Sequence, residues 1–149
     1  MSLDVYLTLP DAPESVATPR IFIREDGQTK EITRADWDAL YPDCEPVTAT
    51  ISTDGKVYTN NITHNLNTMA QAAGLYRCLW YPDEEGCTYA RELIVPLSMG
   101  LAVLTDDPER FMLLEPDNGW GTYQGLVRFC AAYLAACIEY PDAEVSVWR

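Results

Sequence analysis

The chain has 149 residues, 48% of them hydrophobic, with nine Tyr, four Trp and a formal net charge of −13. That is one domain's length, enough to close a core without disulfide or metal staples, and the composition excludes a disordered chain. The excess of 23 acidic over 10 basic residues repels nucleic acid and favours a partner with a basic surface.

In chain order, residues 3–9 alternate apolar and polar and predict a strand. Residues 10–19, with three Pro, predict a loop. Arg20 to Glu25 is a second strand, and Asp26-Gly27 is a hairpin signal before Lys30-Glu31-Ile32. Thr33-x-x-Asp36 reads as a capping box opening a short helix over Ala35–Leu40, stopped at Tyr41-Pro42. Val47 to Ser52 alternates again, and Asp54-Gly55 signals a hairpin into Lys56–Asn60.

The helical half starts near Thr63. Leu66, Met69, Ala70 and Ala73 fall on one face, with Gly74 as the stop. Leu75–Trp80 is a short helix closed by Pro82, and residues 83–87 form an acidic loop. Ala90, Leu93, Ile94, Leu97, Leu101 and Leu104 share a helical face that Pro96 is expected to kink or split. Asp106-Asp107-Pro108-Glu109 starts a short helix with its negative charges at the favourable N-terminal end. After the tight loop Asn118–Gly121, Thr122 caps a longer helix. Its apolar face is Tyr123, Leu126, Val127, Cys130, Tyr133, Leu134, Cys137 and Ile138, and its smooth other face is Ala131, Ala132, Ala135 and Ala136. Pro141 breaks it, and Glu144 to Trp148 alternates as a terminal strand.

Strands at both ends with helices between predict a single α+β domain over residues 1–149. The expected architecture is an antiparallel sheet of four to five strands, including both termini, covered on one face by three to five helices.

Five Cys, at 44, 78, 87, 130 and 137, make an odd number without a CxxC pair. This argues against a disulfide framework or structural zinc and for a reducing compartment. No apolar run approaches the roughly 18 residues of a membrane span, and Met1-Ser2-Leu3-Asp4 does not open like a signal peptide.

The only histidine, His64, sits in Asn60-Asn61-Ile62-Thr63-His64-Asn65-Leu66 at a strand-to-helix junction. One His among Asn and Thr supplies too few ligands for a metal. Its pKa suits a general base, but no GxSxG serine or cysteine motif offers a nucleophile. No catalytic residue, metal or cofactor is therefore assigned. Two readings stay open: a polar network at a helix start, capped by Asn61 or Thr63, and a ligand pocket. The pocket would draw on Asn61, Thr63, His64 and Asn65 together with Asn118, Trp120 and Tyr123. In the second segment two glycines flank Trp120 just before a helix N-terminus, where an anion could be cradled. No Lys or Arg follows as in a P-loop. Trp120 either folds onto the core or stands out as an interface anchor.

The carboxylates cluster at Asp36, Asp38, Asp43 and Glu45; at Asp83, Glu84 and Glu85; at Asp106, Asp107 and Glu109; and at Glu115 with Asp117. They form either a solvated surface or an interface for a basic protein, with Trp37, Trp80 or Trp120 as apolar anchors. Mimicry of nucleic-acid phosphates would require them on one face.

The stretch Asn61-Ile62-Thr63-His64-Asn65-Leu66, followed by Met69-Ala70, Ala73-Gly74 and Leu79-Trp80, resembles a group of small bacteriophage and prophage proteins without an established activity. Asn118-Gly119-Trp120-Gly121-Thr122-Tyr123, the ending Tyr140 to Val145 and the opening Leu3 to Leu7 fit the same group. The likeness covers residues 3–9 and about 57–149 and leaves 10–56 as a hairpin and short-helix insertion relative to shorter members. It implies a viral or mobile-element protein acting in the cytoplasm of a bacterial host. Together with the charge, it sets the leading expectation: a non-enzymatic inhibitor of a host protein with a basic surface, such as a nucleic-acid-targeting defence system, in the manner of an anti-CRISPR. One alternative is a binder or enzyme for a nucleotide-like small molecule, using His64 and the Asn118–Tyr123 loop. Another is a virion or assembly component that uses the alanine face as a homodimer seam. No direct contact with nucleic acid or membrane is expected.

Overall fold

The computed structural model describes residues 1–10, 20–25, 28–46, 48–49 and 55–149. Its elements are β1 (Ser2–Thr8), β2 (Arg20–Glu25), β3 (Gln28–Ile32), α1 (Arg34–Leu40), β4 (Thr48–Ala49), β5 (Lys56–Thr63), a 3-10 turn (His64–Leu66), α2 (Asn67–Ala72), α3 (Tyr76–Trp80), α4 (Ala90–Asp106), α5 (Pro108–Met112), α6 (Tyr123–Glu139) and β6 (Glu144–Trp148). The chain is α+β and divides into two units, Met1–Asp11 with Gly55–Arg149, and Ala12–Asp54.

In the first unit β1 is the middle strand of an antiparallel sheet ordered β5-β1-β6, so both terminal strands belong to it. Alternation sets its two faces. Leu3, Val5 and Leu7 are fully buried, while the residues between them are half-buried. Val5 lies opposite Asn60 on one side and Val147 on the other. The sheet has three strands rather than the expected four to five, because the middle strands pair elsewhere: β2, β3 and β4 form a second three-stranded sheet ordered β3-β2-β4.

The Asp54-Gly55 hairpin is therefore corrected. β4 pairs with β2, and β5 pairs with β1. Gly55 instead returns the chain to the end of β1, where its carbonyl accepts the Leu9 N–H at 2.8 Å. It has φ of 75°, and a Cβ there would run into the Leu9 carbonyl. Asp54 itself, the loop at 11–19, the Asp26-Gly27 turn and most of the 47–52 strand lie outside the described residues.

The helices of this unit follow the apolar spacing. The turn predicted from Thr63 opens as a 3-10 helix before α2, and Leu66, Met69, Ala70 and Ala73 are all buried. Gly74 ends that segment with φ of 74°. α4 and α6 pack antiparallel. At one end the Ala90 and Arg91 N–H groups reach the Ala143 and Pro141 carbonyls, both at 2.9 Å. At the other, the Tyr123 hydroxyl donates to the Leu104 carbonyl at 2.9 Å. Leu93, Leu97 and Leu104 of α4 meet Leu126, Cys130 and Tyr133 of α6 in one core with β1, Trp80 and Phe111. Each large apolar side chain so buried contributes about 1.5–3 kcal/mol.

Two predicted details of the helices differ. Of the kink or split expected at Pro96, the split does not occur: α4 runs unbroken from Ala90 to Asp106. Proline removes the N–H that would reach the carbonyl four residues back, that of Glu92. The Cys87 thiol donates to that carbonyl instead, at 3.8 Å. On α6 the buried stripe is rotated: Phe129 and Ala136 are in the core, Val127 and Leu134 are half-buried, and Ile138 is exposed. Of the alanine face only Ala131, Ala132 and Ala135 remain outside.

In the second unit α1 carries the predicted capping box. Thr33 Oγ1 accepts the Asp36 N–H at 3.1 Å, and the Asp36 carboxylate receives the Thr33 N–H at 3.3 Å. Trp37 closes the following turn by donating its indole N–H to the Cys44 carbonyl at 2.7 Å. Among the described residues, no helix is long and apolar enough to cross a membrane.

Candidate functional site

Strand alternation distributes the residues around His64 in different directions. Asn61 lies opposite Asp4 and donates to its carboxylate at 2.6 Å. Asn60 donates to the Tyr58 hydroxyl at 2.8 Å, and Ile62 enters the core. Thr63 is the cap: its Oγ1 accepts the Asn65 N–H at 3.3 Å. His64 donates its backbone N–H to the Met1 carbonyl at 3.3 Å, and its ring meets Trp80 edge to face with centroids 6.0 Å apart. Three buried side-chain atoms here have no hydrogen-bond partner: His64 Nε2, Asn67 Oδ1 and Trp80 Nε1.

The loop before α6 reaches this turn through its backbone. Gly121 has φ of 114°, and a Cβ on it would come within 2.9 Å of Thr63 Cγ2 and Leu66 Cγ. Asn118 is used within the loop, its Oδ1 accepting the Trp120 N–H at 2.9 Å. Thr122 Oγ1 accepts the Gly125 N–H at 3.0 Å, and the Glu115 carboxylate accepts the Tyr123 N–H at 2.7 Å. The N-terminus of α6 thus holds a carboxylate of its own chain at the place where the sequence allowed an external anion. Tyr123 is buried, and Trp120 is 71% exposed. Of the two segments that the pocket reading would join, the structure brings Thr63 against Gly121. It sends Asn61 to Asp4, Trp120 to solvent and Tyr123 into the core.

No family model matches the chain, and no curated protein or solved structure matches it.

The acidic clusters are partly tied by the chain's own arginines. Arg34 pairs with Asp38 at 2.9 Å and Glu45 at 3.2 Å, while Asp43 is exposed. Arg77 pairs with Glu84 at 3.1 Å and Glu85 at 2.8 Å, and Arg149 pairs with Asp83 at 3.4 Å. These carboxylates raise the Arg34 and Arg77 guanidinium pKa values, and the Thr33 hydroxyl and amide lower that of Asp36. Asp107 caps α5, accepting the Arg110 N–H at 3.2 Å. Asp106 and Glu109 are exposed. The 83–85 cluster precedes α4 and the 106–109 cluster follows it. The helix between them in the chain has 17 residues and is about 25 Å long.

The tryptophans separate clearly. Trp80 is 2% exposed and cannot anchor a partner, because it fills the space between α3 and the core. Trp37 is half-buried, and only Trp120 of the three candidate anchors stands in solvent. Sequence reasoning missed its neighbours along the chain, Met112 and Leu113, the latter 86% exposed. It also missed Val95, Met99 and Val103, exposed at helical spacing along α4. Their i, i+4, i+8 recurrence on the side opposite Leu93 and Leu97 was a signal available in the sequence. Among the described residues, no three His, Cys, Asp or Glu side chains are grouped to hold a metal.

Proposed function

We propose that the chain is a non-enzymatic binding protein whose partner is a host protein with a basic surface. The contact lies on the stretch from the end of α4 through α5 to the start of α6. One observation carries this reading: Leu113 and Trp120 are 86% and 71% exposed on a segment that also holds Asp106, Asp107, Glu109, Glu115 and Asp117 against Arg110 alone. Exposed apolar anchors among charged residues match the anatomy of a protein interface. The carboxylates steer a basic partner, and the anchors hold it. In line with the phage-protein resemblance, the partner is a bacterial protein, and blocking a nucleic-acid-targeting defence protein is the activity such a surface would serve.

The test is capture from bacterial lysate with the wild-type chain and with two variants, Leu113→Ala/Trp120→Ala and Asp106→Lys/Glu109→Lys/Asp117→Lys. A captured basic protein is expected to be lost with the first variant and to bind the second more slowly. Capture unchanged by both variants, at unchanged Tm, refutes the reading.

A second reading has its own observation. The contact of Gly121 with Thr63 and Leu66, beside the unpartnered His64 Nε2, Asn67 Oδ1 and Trp80 Nε1, supports a small polar ligand at the His64 turn. Thermal-shift measurement against nucleotides separates the two. A ligand at about 100 times its Kd stabilises by about 2.7 kcal/mol, and that gain should vanish in His64→Ala.

A further inference from the structure

β6 is an outer strand of its sheet. Val145 directs its N–H away from β1, to the Thr88 carbonyl at 2.9 Å, and Tyr89 bridges Glu144 antiparallel. In an antiparallel ladder, residues two apart direct their backbone groups to the same side. Val147 therefore presents its N–H and C=O away from β1, beyond the point where the Thr88–Tyr89 segment stops pairing. A cleft of about 390 Å³ opens there, lined by Pro82, Asp83, Cys87, Thr88, Val147 and Arg149 among others. Arg149 is fixed at its rim: its guanidinium donates to the Trp80 carbonyl at 2.6 Å, pairs with Asp83 and lies 4.3 Å from the centre of the Tyr81 ring.

We infer that this cleft takes an extended peptide segment of a partner protein, which adds to the edge of β6 as a fourth strand. The ladder it would join has already been started by Thr88 and Tyr89, so the incoming main chain continues an existing register. Edge strands are usually blunted by lysine, proline or a bulge. β6 reads Glu-Val-Ser-Val-Trp and pairs with β1 in unbroken register, so it has none of these. Val145 and Val147 are half-buried on the face they share with Leu7 and Val5. A small apolar side chain opposite Val147 would extend that face toward Pro82 and Cys87. The open edge from Ser146 to Arg149 spans about 13 Å, the length of a segment of about four residues. With a net charge of −13 on the chain, the flanks of that segment are basic or neutral. Main-chain bonds would supply affinity, and the apolar contact would select sequence. The cleft is separate from the α5–α6 surface and does not depend on its role.

The test starts from a displayed random decapeptide library selected against the immobilised full chain. The best synthetic peptide is then measured by fluorescence anisotropy. Val147→Pro removes the outward N–H while sparing the bonds to β1, because the neighbouring residues make those. It should weaken binding about tenfold or more, and Trp120→Ala should leave it unchanged. Hydrogen exchange on the wild-type chain should show the Val147 amide protected by peptide and the Ser146 amide, already turned toward β1, unaffected. This measurement decides the matter if Val147→Pro fails to fold. Failure to enrich any peptide, equal binding to Val147→Pro, or loss with Trp120→Ala alone overturns the inference. So does peptide-free, concentration-dependent protection of Val147, which would assign the edge to a second copy of the chain.

Discussion

Four of the five thiols are buried and one, Cys44, is exposed. Burial pushes the Cys78, Cys130 and Cys137 thiols up to about 12, and Cys87 moves in the same direction. Since the thiolate is the nucleophile, a thiol-specific reagent should modify one cysteine in the folded chain and five after denaturation. More than one fast-reacting thiol in the native protein would contradict this packing. These thiols also set an alkaline limit. Their folded pKa lies above the unfolded one, so the folded state binds more protons in the interval between. Their stabilisation is complete below the ordinary thiol pKa and declines as pH rises toward 12, which urea titrations across alkaline pH should show. Gly121→Ala should cost about 1–3 kcal/mol by equilibrium unfolding, because its Cβ meets Thr63 and Leu66 in a conformation that side chains avoid. At this scale the caps were legible: Thr33, Thr63 and Thr122 each declare a helix start to residues two or three positions away. The buried Trp80 was not, since its concealment depends on residues far along the chain. Nor was the role of Glu115, eight residues from the amide that it accepts.

Among elements, α4 shows how a broken rule is repaired. Its proline leaves the Glu92 carbonyl without a helical donor, and Cys87 supplies one from outside the helix. Cys87→Ala should therefore destabilise by about 0.5–1.5 kcal/mol, and by less when Pro96→Ala has restored the backbone donor. A double-mutant cycle showing no coupling would remove Cys87 from this role. Glu92 works at the same helix end, its carboxylate accepting the Thr88 and Tyr89 N–H groups at 2.6 and 2.8 Å. Those bonds lower its pKa, so its contribution is present at neutral pH and lost as pH falls through that lowered value. Helix positions were legible because their period is local. Strand partners were not: β4 and β5 follow one another across a strong turn signal yet join different sheets. The β6 cleft was invisible for the same reason, because an open edge exists only once its neighbour is known.

At the scale of the whole molecule, β1 and β5 are adjacent rungs between which the chain makes a long excursion. The Leu9 N–H and Gly55 carbonyl already face each other as the flanks of a two-residue hairpin would. Replacing residues 10–54 with Asn-Gly should leave a chain that unfolds cooperatively with its sheet intact, as read by circular dichroism and calorimetry. Loss of the cooperative transition would show that the second unit is required for the fold of the first. Loop length is no obstacle, since each doubling costs only about 0.6 kcal/mol. The excursion matters more for the order of events. Val5 must find Asn60 in one direction and Val147 in the other, whereas α2 and α3 form from neighbouring residues. Contacts so distant in sequence close late. Leu7→Ala should remove about 2–5 kcal/mol of stability, and almost all of it should appear as faster unfolding, with the refolding arm of the chevron nearly unmoved. That outcome would make β1 the last strand seated, with the lifetime of the native state set by how slowly it leaves.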